Sequence, residues 1–346
     1  MRILKLCIGA ALAMALIASG IAHADIDKAG TTAANFLSIG SGARILGMGG
    51  ASLGVGDDVA AAAWNPAALG WAGSTEVVLS HAGLTNASLQ EWAAMGGRIG
   101  KSQTRWSVSG LYQGDGSIEG RDASNLPTTT FSASSIAIGA NVAQQIGGIV
   151  TVGLGAKSVN EKLGDVSGSG LTFDAGLMVR KGMLGFGIAG QNLGGQMSYA
   201  GTSYPFPATL GAGVALAHAR SGLRLALDAN FPDAYYSDVR TGVEWLWKGT
   251  LALRAGYRHE MSDGTEADPL SGPSFGFGAG KNGFWLDYGY LLTSGEGQHR
   301  IGIKFLPGQW SGLGGDPFGQ GAMPREFDTA PPLTGPPVPK NLKASP

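Results

Sequence analysis

The most suggestive reactive side chains in the sequence are two adjacent carboxylates, Asp57 and Asp58, which follow a glycine-rich stretch. Neighbouring carboxylates supply the oxygen ligands that Ca²⁺ and Mg²⁺ prefer. Such a pair also caps helices and forms turns, and the residues at 59–63 (VAAAA) can propagate a helix after it. We therefore interpret Asp57 and Asp58 as a cap and a turn, and expect no metal ion.

Enzyme motifs are missing from the sequence. Segment 153–158 (GLGAKS) partly matches a phosphate-binding loop, but its glycine and lysine are not adjacent and it alternates like a strand. There is no Gly-x-Ser-x-Gly motif. Outside the first 24 residues, the histidines show no metal-ligand spacing; they are His81, His218, His259 and His299. We predict that the protein is not an enzyme and has no cofactor.

Composition favours a β protein with little surface charge. Of 346 residues only 14% are charged, the formal net charge is −1, and 59 are glycine. The near-neutral balance gives no indication of a nucleic-acid partner. The glycine content is far above the usual share of about 7%, and it suits sheets that twist and close tightly, as outer-membrane barrels do.

The first 24 residues have the features of a secretory signal peptide. Two basic residues precede an apolar stretch at 6–17, and Ala22-His23-Ala24 matches a cleavage site, so the exported chain is predicted to begin at Asp25. The single cysteine, Cys7, lies in this segment, which predicts a mature protein without disulfides. No later run approaches the roughly 18 apolar residues of a membrane helix. A membrane crossing would therefore be made by strands.

From residue 75 to residue 305 the chain divides into segments that alternate apolar and polar residues, which is typical of strands with one apolar face. The clearest is 223–231, where leucines at 223, 225 and 227 share one face and Arg224 and Asp228 share the other. We predict fourteen strands, an even number as in bacterial single-chain barrels. They lie near 75–80, 90–98, 104–112, 129–143, 149–161, 169–180, 184–193, 207–217, 223–231, 236–247, 251–259, 272–280, 284–291 and 298–305.

The links between these strands alternate in length. Links after even-numbered strands are tight, as at 147–148 and 281–283, whereas links after odd-numbered strands are longer and polar, as at 113–127, 194–206 and 260–271. Membrane barrels have short periplasmic turns and longer extracellular loops. A soluble β-sandwich, the alternative, is not obliged to alternate in this way. We predict a transmembrane antiparallel β-barrel of about 14 strands.

Ten charged residues fall on the predicted inward faces, because a charge facing lipid would cost roughly 2–4 kcal/mol near the bilayer centre. They are Asp174, Arg180, Arg224, Asp228, Arg240, Glu244, Arg254, Asp287, Arg300 and Lys304. Their mixed signs support an ion-pair network that braces the barrel and holds an N-terminal segment through Arg44. The functional alternative is a permeation path, although a barrel of this size should have little open lumen.

Residues 25–74 precede the first strand, and within them 38–70 do not alternate. Glycines dominate the start, a short helix is predicted near 59–63, and Asn65-Pro66 should interrupt it. We predict a compact plug containing a short helix, inside or below the barrel. At the other end, residues 306–346 hold nine of the sixteen prolines, which predicts a Pro-rich disordered periplasmic tail.

Several motifs in the predicted plug resemble a known family. The run 40–51 (GSGARILGMGGA), then Asp57-Asp58, then 64–67 (WNPA) is similar to the opening of PorV/PorQ outer-membrane proteins. That family is similar in architecture to the FadL-type transporters of hydrophobic compounds. Further similar blocks extend to residue 305, so the resemblance implies a fourteen-stranded FadL-like barrel with an N-terminal plug. The motif residues are Arg44, Gly47, Met48, Gly49, Gly50, Asp57, Asp58, Trp64, Asn65 and Pro66.

Three functional hypotheses follow from the resemblance and the barrel pattern. The closer motif match favours a type IX secretion-associated barrel that binds secreted or secretion-machinery proteins. The alternative is FadL-like uptake of hydrophobic small molecules, in which the plug rearranges around Asn65 and Pro66. A third is a non-transporting outer-membrane anchor. All three place an exported chain in the outer membrane with lipid around it, and none involves nucleic acid.

Overall fold

A computed structural model describes residues 30–84, 88–261, 271–293 and 297–309. The predicted signal peptide, 1–24, lies outside these residues, as does 310–346, which is most of the predicted tail. Within the described ranges, no helix has the length and apolar character needed to cross a bilayer.

Strands account for most of the described chain. They are β1 (Glu76–Gly83), β2 (Leu89–Arg98), β3 (Thr104–Arg121), β4 (Pro127–Ile146), β5 (Val150–Leu163), β6 (Val166–Lys181), β7 (Leu184–Leu193), β8 (Gln196–Tyr199), β9 (Thr202–Pro205), β10 (Thr209–His218), β11 (Leu223–Pro232), β12 (Asp238–Trp247), β13 (Leu251–Glu260), β14 (Gly272–Lys281), β15 (Phe284–Leu291) and β16 (Gln298–Phe305).

Fourteen of these strands form a closed antiparallel barrel. Strand β1 pairs with both β2 and β16, and β5 pairs with β6, so the ring has no free end. The remaining two, β8 and β9, form a small hairpin that pairs with β6 beside the ring. The predicted fold class, a fourteen-stranded antiparallel barrel, is confirmed.

Two strands run further than their alternation predicts, and two short strands lie in a predicted loop. Strand β3 continues to Arg121 and β4 begins at Pro127, so most of the predicted loop at 113–127 is a strand hairpin. A register shift between Gly114 and Ser117 breaks the alternation there. The predicted loop at 194–206 likewise contains β8 and β9. Outside lipid neither face need be apolar, so these extensions carry no period-two signal.

The two ends of the barrel differ in the length of their connections. At one end, called here the short-turn end, β14 and β15 are joined by Asn282 and Gly283 alone. Both residues have positive φ, 53° and 81°, as a two-residue type I′ hairpin requires. At the opposite, long-loop end, the connection from β7 to β10 includes the β8–β9 hairpin. Trp245 and Trp247 lie near the short-turn end and are 44% exposed.

The two faces of the wall have different chemistry. Outward side chains such as Ile138, Leu154 and Leu253 are 57–65% exposed, as a membrane-spanning surface requires. Inward side chains include a row of charges in direct register across three strands. In that row Arg224 lies opposite Glu244, which lies opposite Arg254.

The N-terminal residues fill the lumen. The α-helix α1 (Ala43–Gly47) packs against β13–β16, and the 3-10 helix Pro66–Trp71 packs against β3–β6 on the other side. Two further 3-10 turns are Asn35–Ser38 and Ala60–Ala63, and another, Pro307–Gln309, follows the last strand. We refer to residues 30–75 as the plug.

The predicted plug helix differs from the observed one. Residues 60–63 form one 3-10 turn rather than an α-helix, and it ends at Trp64 before Asn65, whose backbone is extended. The α-helix instead lies within the glycine-rich run, where Gly42 precedes it with a φ of 89°. A five-residue helix flanked by glycines is too short to be stable on its own, so packing against the barrel wall accounts for α1.

Glycines of the barrel wall form the seat of the plug. At seven inward positions on six strands, an added methyl group would meet plug backbone atoms within about 3 Å. These are Gly153, Gly185, Gly187, Gly242, Gly256, Gly276 and Gly289. Part of the high glycine content therefore lets the plug backbone touch the wall directly.

Replacing Gly187 by alanine tests this seat. The new methyl group would overlap the carbonyl oxygen of Leu53, and overpacking of this kind costs about 1–3 kcal/mol. We expect faster hydrogen exchange in plug residues 49–56 while the barrel remains folded. Gly110→Ala is the matched control, because nothing lies within 4 Å of the added atom. Equal plug exchange in both variants would contradict the close-contact explanation.

Candidate functional site

A cluster of eight charged side chains joins the plug to the wall. The plug supplies Arg44, Asp57 and Asp58, and the wall supplies the other five. The wall members are Arg224, Glu244, Arg254, Asp287 and Lys304. The plug members carry a net charge of −1 and the wall members +1, so the cluster is neutral only when the two are together.

Arg44 lies at the centre of this cluster. Its Nε and Nη2 donate to the two carboxylate oxygens of Glu244 at 2.9 and 3.0 Å. Its Nη1 donates to Asp57 at 2.7 Å and to Asp58 at 2.9 Å. A bidentate guanidinium–carboxylate pair is among the stronger and more directional polar contacts. One plug side chain thus holds both the wall and the neighbouring plug loop.

The two plug carboxylates are held in their ionised form. Burial alone raises the pKa of Asp57, but Arg224 and Arg44 lower it by more, so its pKa lies well below the usual value. Burial also raises the pKa of Asp58, and Lys304 and Arg44 again outweigh this effect. Asp58 has a second role, since its Oδ1 accepts the backbone N–H of Ala61 at 2.9 Å and so caps the 3-10 turn.

The ten predicted inward charges all lie on the lumen side, where they are buried or mostly buried. Seven of the ten contact plug residues directly, and they are Arg180, Arg224, Asp228, Arg240, Glu244, Arg300 and Lys304. Arg254 and Asp287 join the cluster through Glu244 and through each other. Outside the cluster, Asp228 accepts the N–H groups of Ser52 and Leu53 at 2.6 and 2.9 Å. Arg180 donates to the carbonyl oxygens of Val55 and Gly56.

Asp174, Arg240 and Arg300 have surroundings that differ from those of the cluster. Asp174 pairs with Lys157 at 2.9 Å within the wall. Arg240 pairs with Asp238 at 2.6 Å and lies over the ring of Trp64, 5.2 Å from its centroid. Arg300 donates to the carbonyl oxygen of Gly40 at 3.0 Å.

Sequence reasoning left several lumen residues out of the candidate set. Lys157 and Asp238 each complete an ion pair, and Arg258 also contacts Asp238, at 3.1 Å. Asp238 alternates in phase with Arg240 on β12 and Arg258 with Arg254 on β13, so parity would have found these two. Gln90 accepts a hydrogen bond from Arg300 at 2.9 Å. Because it carries no charge, nothing in the sequence pattern identifies it as a lumen residue that binds Arg300.

The Asn-Pro motif forms a helix cap. Asn65 is fully buried, and its Oδ1 accepts the N–H of Ala67 at 3.0 Å at the start of the helix Pro66–Trp71. Its amide also donates to the carbonyl oxygen of Leu177 in β6, at 3.4 Å. Proline at the first helical position needs no N–H partner. The motif therefore fixes the plug's second half against the wall.

The glycine motif forms a tight turn against the opposite wall. Gly49 has a φ of 68°, and its N–H donates to Ser274 Oγ at 2.8 Å. A side chain there would meet backbone atoms of Thr241 and Tyr257 at 2.6 and 2.7 Å, so only glycine fits. Met48 is buried beside it. In the same motif, Gly50 contacts the Arg240 side chain and Gly47 contacts Gly276.

An apolar recess lies toward the long-loop end of the lumen. Its walls are Ala137, Val159, Met197 and Phe206, and the plug side chain Phe36 occupies it. We call this the Phe36 recess. Sequence analysis missed it, because its walls come from four separate strands and connections.

Two polar contacts hold the segment that carries Phe36. The N–H of Ala33 donates to the carbonyl oxygen of Pro205 at 2.9 Å, and the N–H of Ala34 donates to Glu161 at 3.2 Å. Glu161 also accepts from the hydroxyl of Tyr199. Ala34 has a φ of 56°, which is uncommon for a residue other than glycine.

Cavities along the plug are small. One of about 30 Å³ is bordered by Trp64, Arg240 and Leu291, and another of about 10 Å³ by Val55 and Arg180. A cavity that holds benzene has a volume of roughly 150 Å³. Neither space accommodates an aromatic ring, and each suits at most a water molecule or two.

No protein-family model and no curated protein sequence matches this chain. Solved structures do match it. The toluene transporter TbuX of Ralstonia pickettii has a TM-score of 0.56 at 14% identity, over 77% of this chain and 98% of that chain. The toluene transporter TodX of Pseudomonas putida has a TM-score of 0.54 at 15% identity, over 77% and 96%.

A FadL homologue of Pseudomonas aeruginosa gives a similar result, with a TM-score of 0.55 at 10% identity over 77% of this chain and 98% of that chain. At such low identities the likeness establishes the fold alone. The chain therefore shares the barrel fold of FadL-type proteins. These structures do not test the finer resemblance to PorV/PorQ proteins.

Replacing Arg44 by methionine tests the charge cluster. The change leaves three carboxylates of the cluster without their shared cation, and breaking a buried pair in this way costs about 3–5 kcal/mol. We expect the plug to be released, measured as faster exchange of plug amides and as new protease sensitivity within residues 40–65. Arg44→Lys keeps the charge but loses the bidentate geometry, so it should show an intermediate effect.

The control for this experiment is Arg121→Met, because Arg121 pairs with Glu119 on an exposed surface where both are 49% exposed. Exposed pairs contribute little to stability. If Arg44→Met left plug exchange at the level of that control, the cluster would not be what retains the plug.

Proposed function

We propose that this protein is an outer-membrane channel for the uptake of hydrophobic small molecules, and that the structure corresponds to its closed state. In this proposal the short-turn end faces the periplasm and the long-loop end faces the cell exterior. The observation that carries the proposal is a closed barrel whose lumen is filled by its own N-terminal plug.

A filled lumen argues against a general pore for water-soluble solutes. The plug backbone touches wall glycines on six strands, and the two cavities described above hold at most a water or two each. The similar barrels TbuX and TodX are described as toluene transporters. Their function supports hydrophobic uptake over the secretion-associated role that the sequence motifs favoured.

The Phe36 recess is the proposed entry site for cargo. It is apolar, lies toward the exterior, and is occupied by an aromatic ring of about the size of toluene. The backbone of the segment that carries Phe36 is hydrogen-bonded to the wall at Ala33 and Ala34. Ala34 also has the unfavourable positive φ described above. Such strain persists only where surrounding structure enforces it, so cargo that replaces Phe36 would release the segment.

A second candidate function is partner binding at the exterior. The ribbon formed by the ends of β3 and β4 is exposed throughout residues 116–132, apart from Gly120, which is half-buried. This ribbon offers a larger external surface than the sequence predicted. It keeps open the PorV/PorQ-type role with a secreted or secretion-machinery partner, and equally the role of a non-transporting anchor.

A disulfide between plug and wall tests the uptake proposal. A Cβ atom built on Gly302 lies 3.2 Å from that of Ala43, close to the separation that a disulfide spans. The only native cysteine is Cys7. We expect the oxidised Ala43→Cys, Gly302→Cys variant to lose toluene uptake in cells whose outer leaflet is lipopolysaccharide, and a reductant to restore it.

The single-cysteine variant Ala43→Cys serves as the control and should behave as the wild type under both conditions. Toluene entry that is unaffected by the crosslink would exclude movement of α1 as the gate. Entry that is the same with and without the protein would exclude the uptake function itself.

Phe36→Ala tests the recess as the cargo site. Removing the ring empties the recess, and we expect the affinity for toluene to rise at least tenfold, measured by broadening of the toluene methyl resonance on titration. Phe36→Trp should weaken binding because the larger ring fills the space. Phe131→Ala removes a 46% exposed ring from the ribbon and should match the wild type. Toluene affinity that is insensitive to residue 36 would place the cargo site elsewhere.

A further inference from the structure

Arg300 differs from most of the cations that line the lumen. Six other wall cations have a carboxylate oxygen within 3.4 Å. They are Lys157, Arg224, Arg240, Arg254, Arg258 and Lys304. Arg300 is 2% exposed, and among the described residues no carboxylate forms an ion pair with it. Burying a charge without a counter-charge costs free energy. A bound anion beside Arg300 would lower that cost.

The known contacts of Arg300 use only part of its donor capacity. Its Nη1 donates to the Gly40 carbonyl oxygen at 3.0 Å, and its Nη2 donates to Gln90 Oε1 at 2.9 Å. Its Nε has no hydrogen-bond partner within the described structure. The Nε–H and one Nη2–H point to the same edge of a guanidinium. A ligand bound by this free donor would therefore lie beside Nη2, the nitrogen that donates to Gln90.

Gln90 and Ser80 add further unused hydrogen-bonding groups. Gln90 is 1% exposed and Ser80 is 4% exposed, and within the described residues neither Gln90 Nε2 nor Ser80 Oγ has a partner. Gln90 and Arg300 flank Ala82 in direct register on the neighbouring strands. Ser80 is two residues from Ala82, so it lies on the same face of β1.

The chemistry of these groups selects the charge of the ligand. A guanidinium Nε and an amide Nε2 can only donate hydrogen bonds, and a serine hydroxyl can donate as well. A cation would meet three donors and a positive charge, whereas an anion would satisfy all of them. The register places the group one to three residues from the long-loop ends of β1, β2 and β16, at the side proposed to face the exterior.

We propose that Arg300, Gln90 and Ser80 form a binding site for a compact monovalent anion, which is either chloride or the carboxylate head group of an apolar cargo molecule. The site lies at the contact between plug and wall, because Arg300 also binds the plug carbonyl of Gly40. It does not depend on transport: an anion bound there would neutralise the lumen of a channel or of an anchor equally well.

The test is chloride-35 NMR line broadening on the full chain in detergent. We expect the wild type to broaden the resonance saturably, and both Arg300→Gln and Gln90→Glu to weaken chloride binding at least tenfold. Gln90→Glu places a carboxylate beside the guanidinium, so the protein supplies its own anion and should fold as well as the wild type. Arg121→Gln, at an exposed position on the ribbon, should leave binding unchanged.

Competition distinguishes the two sources of the anion. Displacement of chloride by octanoate at least tenfold more effectively than by acetate, with no displacement by octanol, would identify a cargo head group. Equal potency of acetate and octanoate would identify a site for small anions such as chloride. Absence of saturable chloride and carboxylate binding in the wild type, or binding that survives in both variants, would overturn the proposal.

Discussion

The structure depends on the meeting of plug and wall charges inside the lumen. Wall residues of the cluster carry one positive charge in excess, and the plug residues carry one negative charge in excess. In surroundings of low dielectric constant such imbalances are expensive. Each half of the cluster alone would carry an uncompensated buried charge, which is unfavourable. The charges therefore specify the position of the plug in the lumen. Moving the plug away requires water to enter and solvate both halves.

Close packing of the plug backbone against the wall acts together with the charge cluster to hold the plug. Glycines on the wall let the plug backbone approach until polar groups such as Gly49 N–H reach wall acceptors like Ser274 Oγ. The composition indicated a tightly closing sheet, and the structure adds a second use for glycine as the seat of the plug. Where the plug backbone lies directly against the wall backbone, little space remains in the lumen for side chains to rearrange.

Local patterns in the sequence predicted the strands and their inward faces, because period-two alternation is a property of neighbouring residues. Pairings escaped prediction because they join distant parts of the chain: Arg44 and Glu244 are 200 residues apart. The helix Ala43–Gly47 was missed because it is only five residues long and is flanked by glycines, so tertiary contacts rather than local propensity decide its structure. Gln90 was missed because only its position beside Arg300 gives it a role.

The contacts that hold the plug also suggest the order in which it would open. Among the described contacts of the Phe36 segment, the backbone N–H groups of Ala33 and Ala34 bind the wall, and a typical hydrogen bond contributes roughly 0.5–1.5 kcal/mol net. Moving α1 would separate Arg44 from Glu244 at a far higher cost. In the proposed uptake, a hydrophobic ligand would form few favourable contacts with the charge cluster, whereas it would form apolar contacts in the Phe36 recess. Opening should therefore begin at the N-terminal segment, with the charge cluster as the last contact to break.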